Sequence, residues 1–418
     1  MRRLLILVLT AVALAASAAP PAGAKAGALD RLFGDDGIVT AFPHGAVATA
    51  VGIDAERRIT VVGYTVDARA DVVVVRYRPD GTPDASFGMN GHARFDLGGI
   101  DTAFDVAVTP AGGLAIAGRR TKGEDRMFVL RVRPGGARQR SFGRRGVALV
   151  DFDKPRQSAD AIGFTPQGRI VIGGYTSNGV LARSAFARLS AAGDLDRGFG
   201  GDGQASFEIG TGSEQVNDLM VLAGGDVLAA GVAENAQDPR FSLVKLTGSG
   251  RLDTTFGVGR DGASVLDVAT GPDTANALTI AADGDVLLAG STGNQGDWAI
   301  VATHPNGVPD RAYGDGGRVV LRLAHAFEEA TDIVAWGARA LVVGRIHGTG
   351  DDIGVARLKA GGTLDTSFSG DGVVRIDVSG TTDAASGAAL QANGKLVVAG
   401  QTWRRGLPRF VAARLSMR

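Results

Sequence analysis

The sequence predicts an all-β fold, a seven-bladed β-propeller with four antiparallel strands per blade, and three observations predict it. First, an aromatic residue recurs at Phe33, Phe87, Phe142, Phe199, Phe256, Tyr313 and Phe368, at spacings of 54, 55, 57, 57, 57 and 55 residues. Glycine follows it in six copies, Ser369 being the exception, and a second glycine stands a few residues on (Gly37, Gly91, Gly146, Gly203, Gly262, Gly317, Gly372). Second, each interval holds four short runs with a period of two, rich in β-branched residues and bounded by Gly and Pro clusters, which is the pattern of strands. Third, 63 of 418 residues are glycine, about twice the usual share of roughly 7%. They recur at fixed offsets without a three-residue period, so they read as turn residues rather than as collagen or low complexity.

The segments follow in order. Arg2 and Arg3 precede the apolar stretch Leu4 to Ala16, and small residues follow with cleavage-like sites ending at Ala18 and Ala24. This is the layout of a secretory signal peptide, assigned to 1–24, and it is short for a membrane span. The propeller is assigned to 25–418, as repeats at approximately 29–83, 84–138, 139–195, 196–252, 253–309, 310–364 and 365–418. One copy gives the plan: His92 to Leu97, Ala103 to Thr109, Leu114 to Gly118 and Met127 to Val132, separated by turns such as Pro110-Ala111-Gly112-Gly113. The first strand, Gly37 to Phe42, precedes any blade of its own, and the last strand is Phe410 to Leu415. The first is therefore expected to complete the last blade as its outermost strand, leaving no open edges for other chains to pair with. A solenoid would instead need capping repeats.

The runs Leu364-Asp365-Thr366-Ser367-Phe368, Leu396-Val397-Val398-Ala399-Gly400 and Val411-Ala412-Ala413-Arg414-Leu415 give a pattern that resembles the bacterial delta-60 repeat family, over essentially all of the predicted mature chain. Departures are Gln139 for the usual Asp, Ser369 for Gly, and the degenerate turn at Gly337 to Ala340. The resemblance implies a propeller-like repeat in exported or surface bacterial proteins, and implies no agreed activity.

Two polar series run through the copies. An aspartate stands three residues before the marker (Asp30, Asp84, Asp196, Asp253, Asp310, Asp365; Gln139 in one copy), and a base stands eight residues before that position (Arg76, Arg131, Arg188, Lys245, Arg357; Ala302 in one copy). Such pairs would brace the turn between third and fourth strands. Ring closure would give Arg414, at one end of the chain, the partner Asp30 at the other. The second series is an acidic ring, Asp101, Glu214, Asp273, Glu328 and Asp383, with Ala46 and Gln157 in the other two copies. On the innermost strands these carboxylates would lie around one channel mouth. There they would either cap loop N–H groups or hold a hard cation such as Ca²⁺.

Other signals carry less. Gly198-x-Gly200-x-x-Gly203 fits a dinucleotide fingerprint but precedes a strand, not a helix. His44, His92, His304, His325 and His347 fall in different copies without metal-ligand spacing. No Gly-x-Ser-x-Gly elbow occurs and there is no cysteine, which excludes a thiol nucleophile and a lipid-modified cysteine. Loop tips such as Arg404-Arg405 and Arg144-Arg145 read as solvated surface. Removing 1–24 leaves 42 basic against 44 acidic residues, a balance that excludes nucleic acid and anionic membranes as expected partners. The chain therefore reads as a secreted or envelope-associated, monomeric interaction or scaffold module with no catalytic residues, no cofactor, and a protein or glycan partner outside the cell. The alternative is a cation-dependent binder or hydrolytic enzyme using the acidic ring.

Overall fold

A computed structural model describes residues 25–418 except 42–44, 236–237, 295, 325–326 and 349; the predicted signal peptide lies outside the described residues. The strands form seven four-stranded antiparallel sheets. Six are contiguous in sequence, at 46–95, 100–150, 156–207, 214–266, 273–321 and 329–376 (blades one to six). The seventh combines three strands of 383–415 with Ile38–Ala41 as its outer strand. That strand pairs Ile38 with Ala413 and Ala41 with Phe410, so the ring closes as the sequence predicted.

Within each of the six contiguous blades, strand order in space follows strand order in sequence, from the inner strand outward. The core lies between blades, one apolar cluster for each junction. The cluster joining blades seven and one, for example, holds Phe33, Val61, Val73, Val75, Phe410 and Ala412. The marker aromatics are the deepest members: Phe33, Phe87, Phe142, Phe199 and Phe368 are fully buried. Small residues on the inner strands (Ala48, Ala103, Ala159, Ala275, Ala330, Ala385) are buried against the next blade, as crowding near the axis requires.

Every inner strand carries a β-bulge, at Ala48/Ala50, Ala103/Asp105, Ala159/Ala161, Val216/Asp218, Ala275/Ala277, Ala330/Asp332 and Ala385/Gly387. A bulge sets two residues against one and re-aims side chains. Opposite it, the second strand always has glycine. A Cβ on Gly63, Gly118, Gly174, Gly231, Gly290, Gly344 or Gly400 would stand 1.9–2.1 Å from a carbonyl oxygen of the bulged strand. The Val-Val-Ala-Gly motif thus ends in glycine because the bulge leaves no room for more.

The markers sit in the turns between third and outer strands. The residue after the aromatic has positive φ, 55° at Gly88 and 60° at Ser369, and its N–H reaches the same turn of the next blade: Gly88 to Gly135, Gly143 to Ala192, Gly200 to Ser249. Ser369 to Ala26 and Gly34 to Asp80 carry this chain across the closure. Third and outer strands meet on one face of the ring. The loops from second to third strand, and from outer strand to the next blade, lie on the opposite face.

Candidate functional site: the channel and the loop-bearing face

The paired series is a structural brace that also packs on the marker. Arg76 binds Asp84 at 2.8 Å, Arg188 binds Asp196 at 2.7 Å, Lys245 binds Asp253 at 2.9 Å and Arg357 binds Asp365 at 2.9 Å. The guanidinium stacks on the marker ring, 4.5 Å from its centre for Arg76 on Phe87 and 4.8 Å for Arg357 on Phe368. Arg414 meets Asp30 at 2.7 Å and stacks on Phe33 at 4.6 Å, so the predicted contact between the chain's ends is present. Burial alone would raise the Asp30 pKa, but the Lys395 hydrogen bond and the Arg414 charge hold it below its ordinary value. Where Gln139 replaces the acid, Arg131 keeps an unpartnered Nη1.

The acidic ring lies at the start of the inner strands on the loop-bearing face, and all five carboxylates are buried. Each faces the loop that precedes it. Asp101 accepts from Leu97 N–H at 2.6 Å, Glu214 from Gly210 at 2.6 Å, Asp273 from Val268 at 2.9 Å, Glu328 from Leu323 at 3.0 Å and Asp383 from Val378 at 2.6 Å. Gln157 makes the same contact through its amide oxygen, to Phe152 N–H at 2.8 Å; a neutral side chain can therefore fill the position. Burial raises the pKa of Asp101, Glu214, Asp273 and Glu328. Among the described residues, two acidic groups bring oxygens within 4.8 Å of one another, Asp71–Asp96–Asp101 and Asp352–Asp377–Asp383. Each contains one member of the ring, and neither contains two.

The channel itself is lined by residues that the sequence reading did not single out. A cavity of about 200 Å³ receives side chains from the bulges of all seven inner strands. Asp105, Asp218 and Asp332 occupy the same position in blades two, four and six, where the other blades have Ala50, Ala161, Ala277 and Gly387. Each reaches the next blade: Asp105 accepts from Ile162 N–H at 2.9 Å, Asp218 from Leu278 at 2.8 Å, and Asp332 from Ala388 at 2.7 Å. The neighbouring bulge residue makes the complementary donation. Asn217 donates to Ala275, Asn276 to Ala330, Thr331 to Ala385, and Ser386 to Ala48 across the closure. Asp160 accepts from Ser158 at 2.5 Å and Gln215 at 3.3 Å. Burial lifts the pKa of Asp105 and Asp160 to about 6 and of Asp332 to about 7. Asp218 is pushed well above its ordinary value by burial and by the charges of Asp105 and Asp332. The sequence signal was there, three aspartates spaced 113 and 114 residues apart, but only a two-copy period reveals it.

On the loop-bearing face the blade junctions share a charge plan. Five residues before the base position of the third strand stand Asp71, Arg126, Arg183, Arg240, Asp297, Asp352 and Arg409. One residue past the outer strand stand Asp96, Asp151, Glu208, Asp267, Arg322 and Asp377, and the corresponding residue of blade seven lies outside the described residues. Arg126 binds Asp151 at 2.7 Å, Arg183 binds Glu208 at 3.1 Å, and Arg240 pairs with Asp267. Blade five exchanges the signs, Arg322 binding Asp297 at 2.9 Å. In blade one both positions are acidic and Arg94 supplies the cation, 2.6 Å from Asp71. In blade six both are again acidic, and Arg375 donates to the carbonyls of His347 and Leu323 instead; burial and the charges of Asp377 and Asp383 raise the Asp352 pKa.

Blade seven departs in the other direction. Arg409 keeps the cationic position while Ala46 stands at the place of the ring acid. Among the described residues the Arg409 Nε has no hydrogen-bond partner. Arg409 lines a cavity of about 460 Å³ with Ser379, Thr381, Trp403, Arg404 and Arg405, so the exposed pair Arg404-Arg405 also borders a concave surface. Of the other tryptophans, Trp298 is buried and donates to Arg345 O at 3.1 Å, and Trp336 packs under Arg339 and Arg357. His304 and His347 each face an aspartate, Asp285 at 3.2 Å and Asp351 at 2.7 Å; His44 and His325 lie outside the described residues. Among the described residues no helix is long and apolar enough to cross a membrane.

Comparison with known proteins agrees with the architecture. Among curated proteins none matches the chain. A catalytically inactive virginiamycin B lyase from Staphylococcus aureus, solved with quinupristin, superposes with a TM-score of 0.55 at 10% identity, covering 91% of this chain and 98% of that one. The polysaccharide lyase Uly1 superposes with a TM-score of 0.50 at 11% identity, covering 96% of this chain and 94% of that one. At such identities the likeness is one of fold. In sequence, residues 57–87, 165–199, 341–368 and 391–417 match the model described as a domain of unknown function (DUF5122) beta-propeller, which supports a repeat family of β-propeller type.

Proposed function

We propose that the protein is an exported, non-catalytic β-propeller that presents its loop-bearing face to a protein or glycan partner outside the cytoplasmic membrane. The observation that carries this reading is a division of labour between residues. The polar groups that recur from blade to blade are engaged with the scaffold itself: the Arg–Asp braces, the loop-capping carboxylates and the channel hydrogen bonds. Copy-specific apolar groups are exposed on both faces, Leu32, Met89, Val258 and Val308 among the marker turns and Val66, Val180, Leu181, Phe327, Trp403 and Leu407 on the loop-bearing face. The loop-bearing set places an indole beside a guanidinium-lined cavity. Loops held by a rigid scaffold are where binding resides in such folds. The test is association of purified residues 25–418 with cell-envelope fractions and culture supernatant. Binding weakened by Val180→Asp or Trp403→Ala, but not by Met89→Asp on the opposite face, is expected; binding that responds only to Met89→Asp overturns the reading.

The cation-dependent alternative has one observation in its favour, the Asp352–Asp377–Asp383 group, with which no guanidinium forms an ion pair among the described residues, the nearby Arg375 donating to carbonyls instead. Calorimetric titration with Ca²⁺ decides it. Heat and a thermal shift that vanish in Asp352→Asn would support it, and their absence in the wild type removes it.

A further inference from the structure

We propose that the blade-seven pocket is a binding site for an anionic saccharide, whose acidic group takes the place that a side-chain carboxylate fills at other junctions. The proposal rests on the non-catalytic binding reading above and names its ligand and site. Three observations carry it.

The first is the missing partner. Arg126, Arg183 and Arg240 each hold an acid from the end of the outer strand. Arg409 stands at the same register, paired with Thr402 on the second strand, and among the described residues no carboxylate pairs with it. Arg409 lines the cavity, where an external carboxylate or sulfate can take the place of the acid.

The second is reinforcement. Arg404 and Arg405 add two further guanidinium groups to the same cavity, and among the described residues neither has a carboxylate partner. Arg405 is held at the tip of the hairpin by a positive φ of 53°, with Gly406 at 78°, so the turn aims it without help from packing. Guanidinium groups bind planar carboxylates and sulfates through paired hydrogen bonds.

The third is the rest of the lining. Trp403 is 36% exposed, and an indole face offers a flat apolar surface to the C–H face of a pyranose ring. Ser379 and Thr381, joined hydroxyl to hydroxyl at 2.8 Å, place further polar groups beside it. Indole, hydroxyls and guanidinium groups together match an acidic sugar. A single-stranded nucleic acid would also use Trp and Arg, but it needs a continuous basic track. Here the adjoining junction is the acidic group Asp352–Asp377–Asp383.

The experiment is affinity electrophoresis and calorimetry of purified residues 25–418 with polygalacturonate, dextran sulfate, neutral dextran and a single-stranded oligonucleotide. Retention by one or both polyanions and none by neutral dextran is expected, and the two polyanions separate carboxylate from sulfate as the recognised group. Arg405→Glu and Trp403→Ala, both exposed, should each weaken binding about tenfold, the loss of one charged hydrogen bond or one stacking contact. Arg145→Glu, on the opposite face, should not change it. Retention unaffected by Arg405→Glu and Trp403→Ala, tighter binding of the oligonucleotide, or no retention at all overturns the site. Envelope association that persists without polyanion binding sinks this inference and leaves the broader reading standing. Release of shorter saccharides from a bound polyanion sinks the non-catalytic reading and leaves the site standing.

Discussion

At the scale of single residues, the contact that matters most is between Asp30 and Arg414, separated by almost the whole chain. Both side chains are buried, at 9% and 6% exposure, so removing one charge strands the other. Asp30→Asn is expected to cost about 3–5 kcal/mol of unfolding free energy, measured by denaturant titration. Asp253→Asn, whose partner Lys245 is more exposed, should cost clearly less. This pair was legible in the sequence because an eight-residue offset repeats in the intervening copies, and the last copy lacked its acid. Asp105, Asp218 and Asp332 were not. Strict alternation puts an aspartate two places from a buried alanine on that alanine's own face, between blades, so nothing in the pattern marks it as facing the channel. Only the bulge turns it toward the axis.

At the scale of elements, the bulge and the glycine facing it form one unit. Gly290→Ala would place a methyl 1.9 Å from Thr274 O, and both sit in backbone held by ladders on either side. It should destabilise by at least about 3 kcal/mol, beyond ordinary overpacking. Gly224→Ala, with nothing within 4 Å of the added atom, should change stability by less than about 0.5 kcal/mol; thermal melts of the two variants check both. The closing strand is the second such unit. Deleting residues 25–45 removes Ile38–Ala41 and Asp30, and exposes the edge of Phe410–Ala413. Aggregation or a lowered melting temperature is expected, and a monomer with unchanged melting would contradict the closure. Strand number and ring closure were readable because turns repeat on a fixed period. Bulges were not, since one extra residue in a β-run leaves no compositional mark.

At the scale of the whole molecule, the channel and the braces oppose each other as pH changes. Asp105, Asp160 and Asp332 titrate near pH 6–7 and Asp218 is held well above its ordinary value, against about 3.9 in an unfolded chain. The folded state therefore binds more protons than the unfolded state in this window, and stability falls as pH rises through it. The braces act the other way: Asp84, Asp196 and Asp365 are held below their ordinary values and Asp253 at about 2. Their contribution is lost only as pH falls through those depressed values. Melting temperature should thus be highest at about pH 4, drop toward pH 8, and collapse below about pH 3. Asp332→Asn, which keeps an acceptor for one of its two N–H partners, should flatten the slope between pH 5 and 8. An unchanged slope would show that the channel aspartates do not govern it.

The closure also fixes where anything joined to this chain must leave it. Gly27 N–H donates to Ser416 O at 2.8 Å, and Leu29 bridges Leu415, so the described start and finish lie side by side on the marker-turn face. A tether attached at either end, whether a linker, a fused domain or an affinity tag, emerges from that same corner. Immobilised through it, the ring would turn its hairpin tips, Trp403 and Arg405 among them, toward the medium, like a dish mounted by its back. A fluorescent protein fused at either terminus should accordingly leave polyanion affinity unaltered, whereas the same insert placed between Arg405 and Gly406 should abolish it.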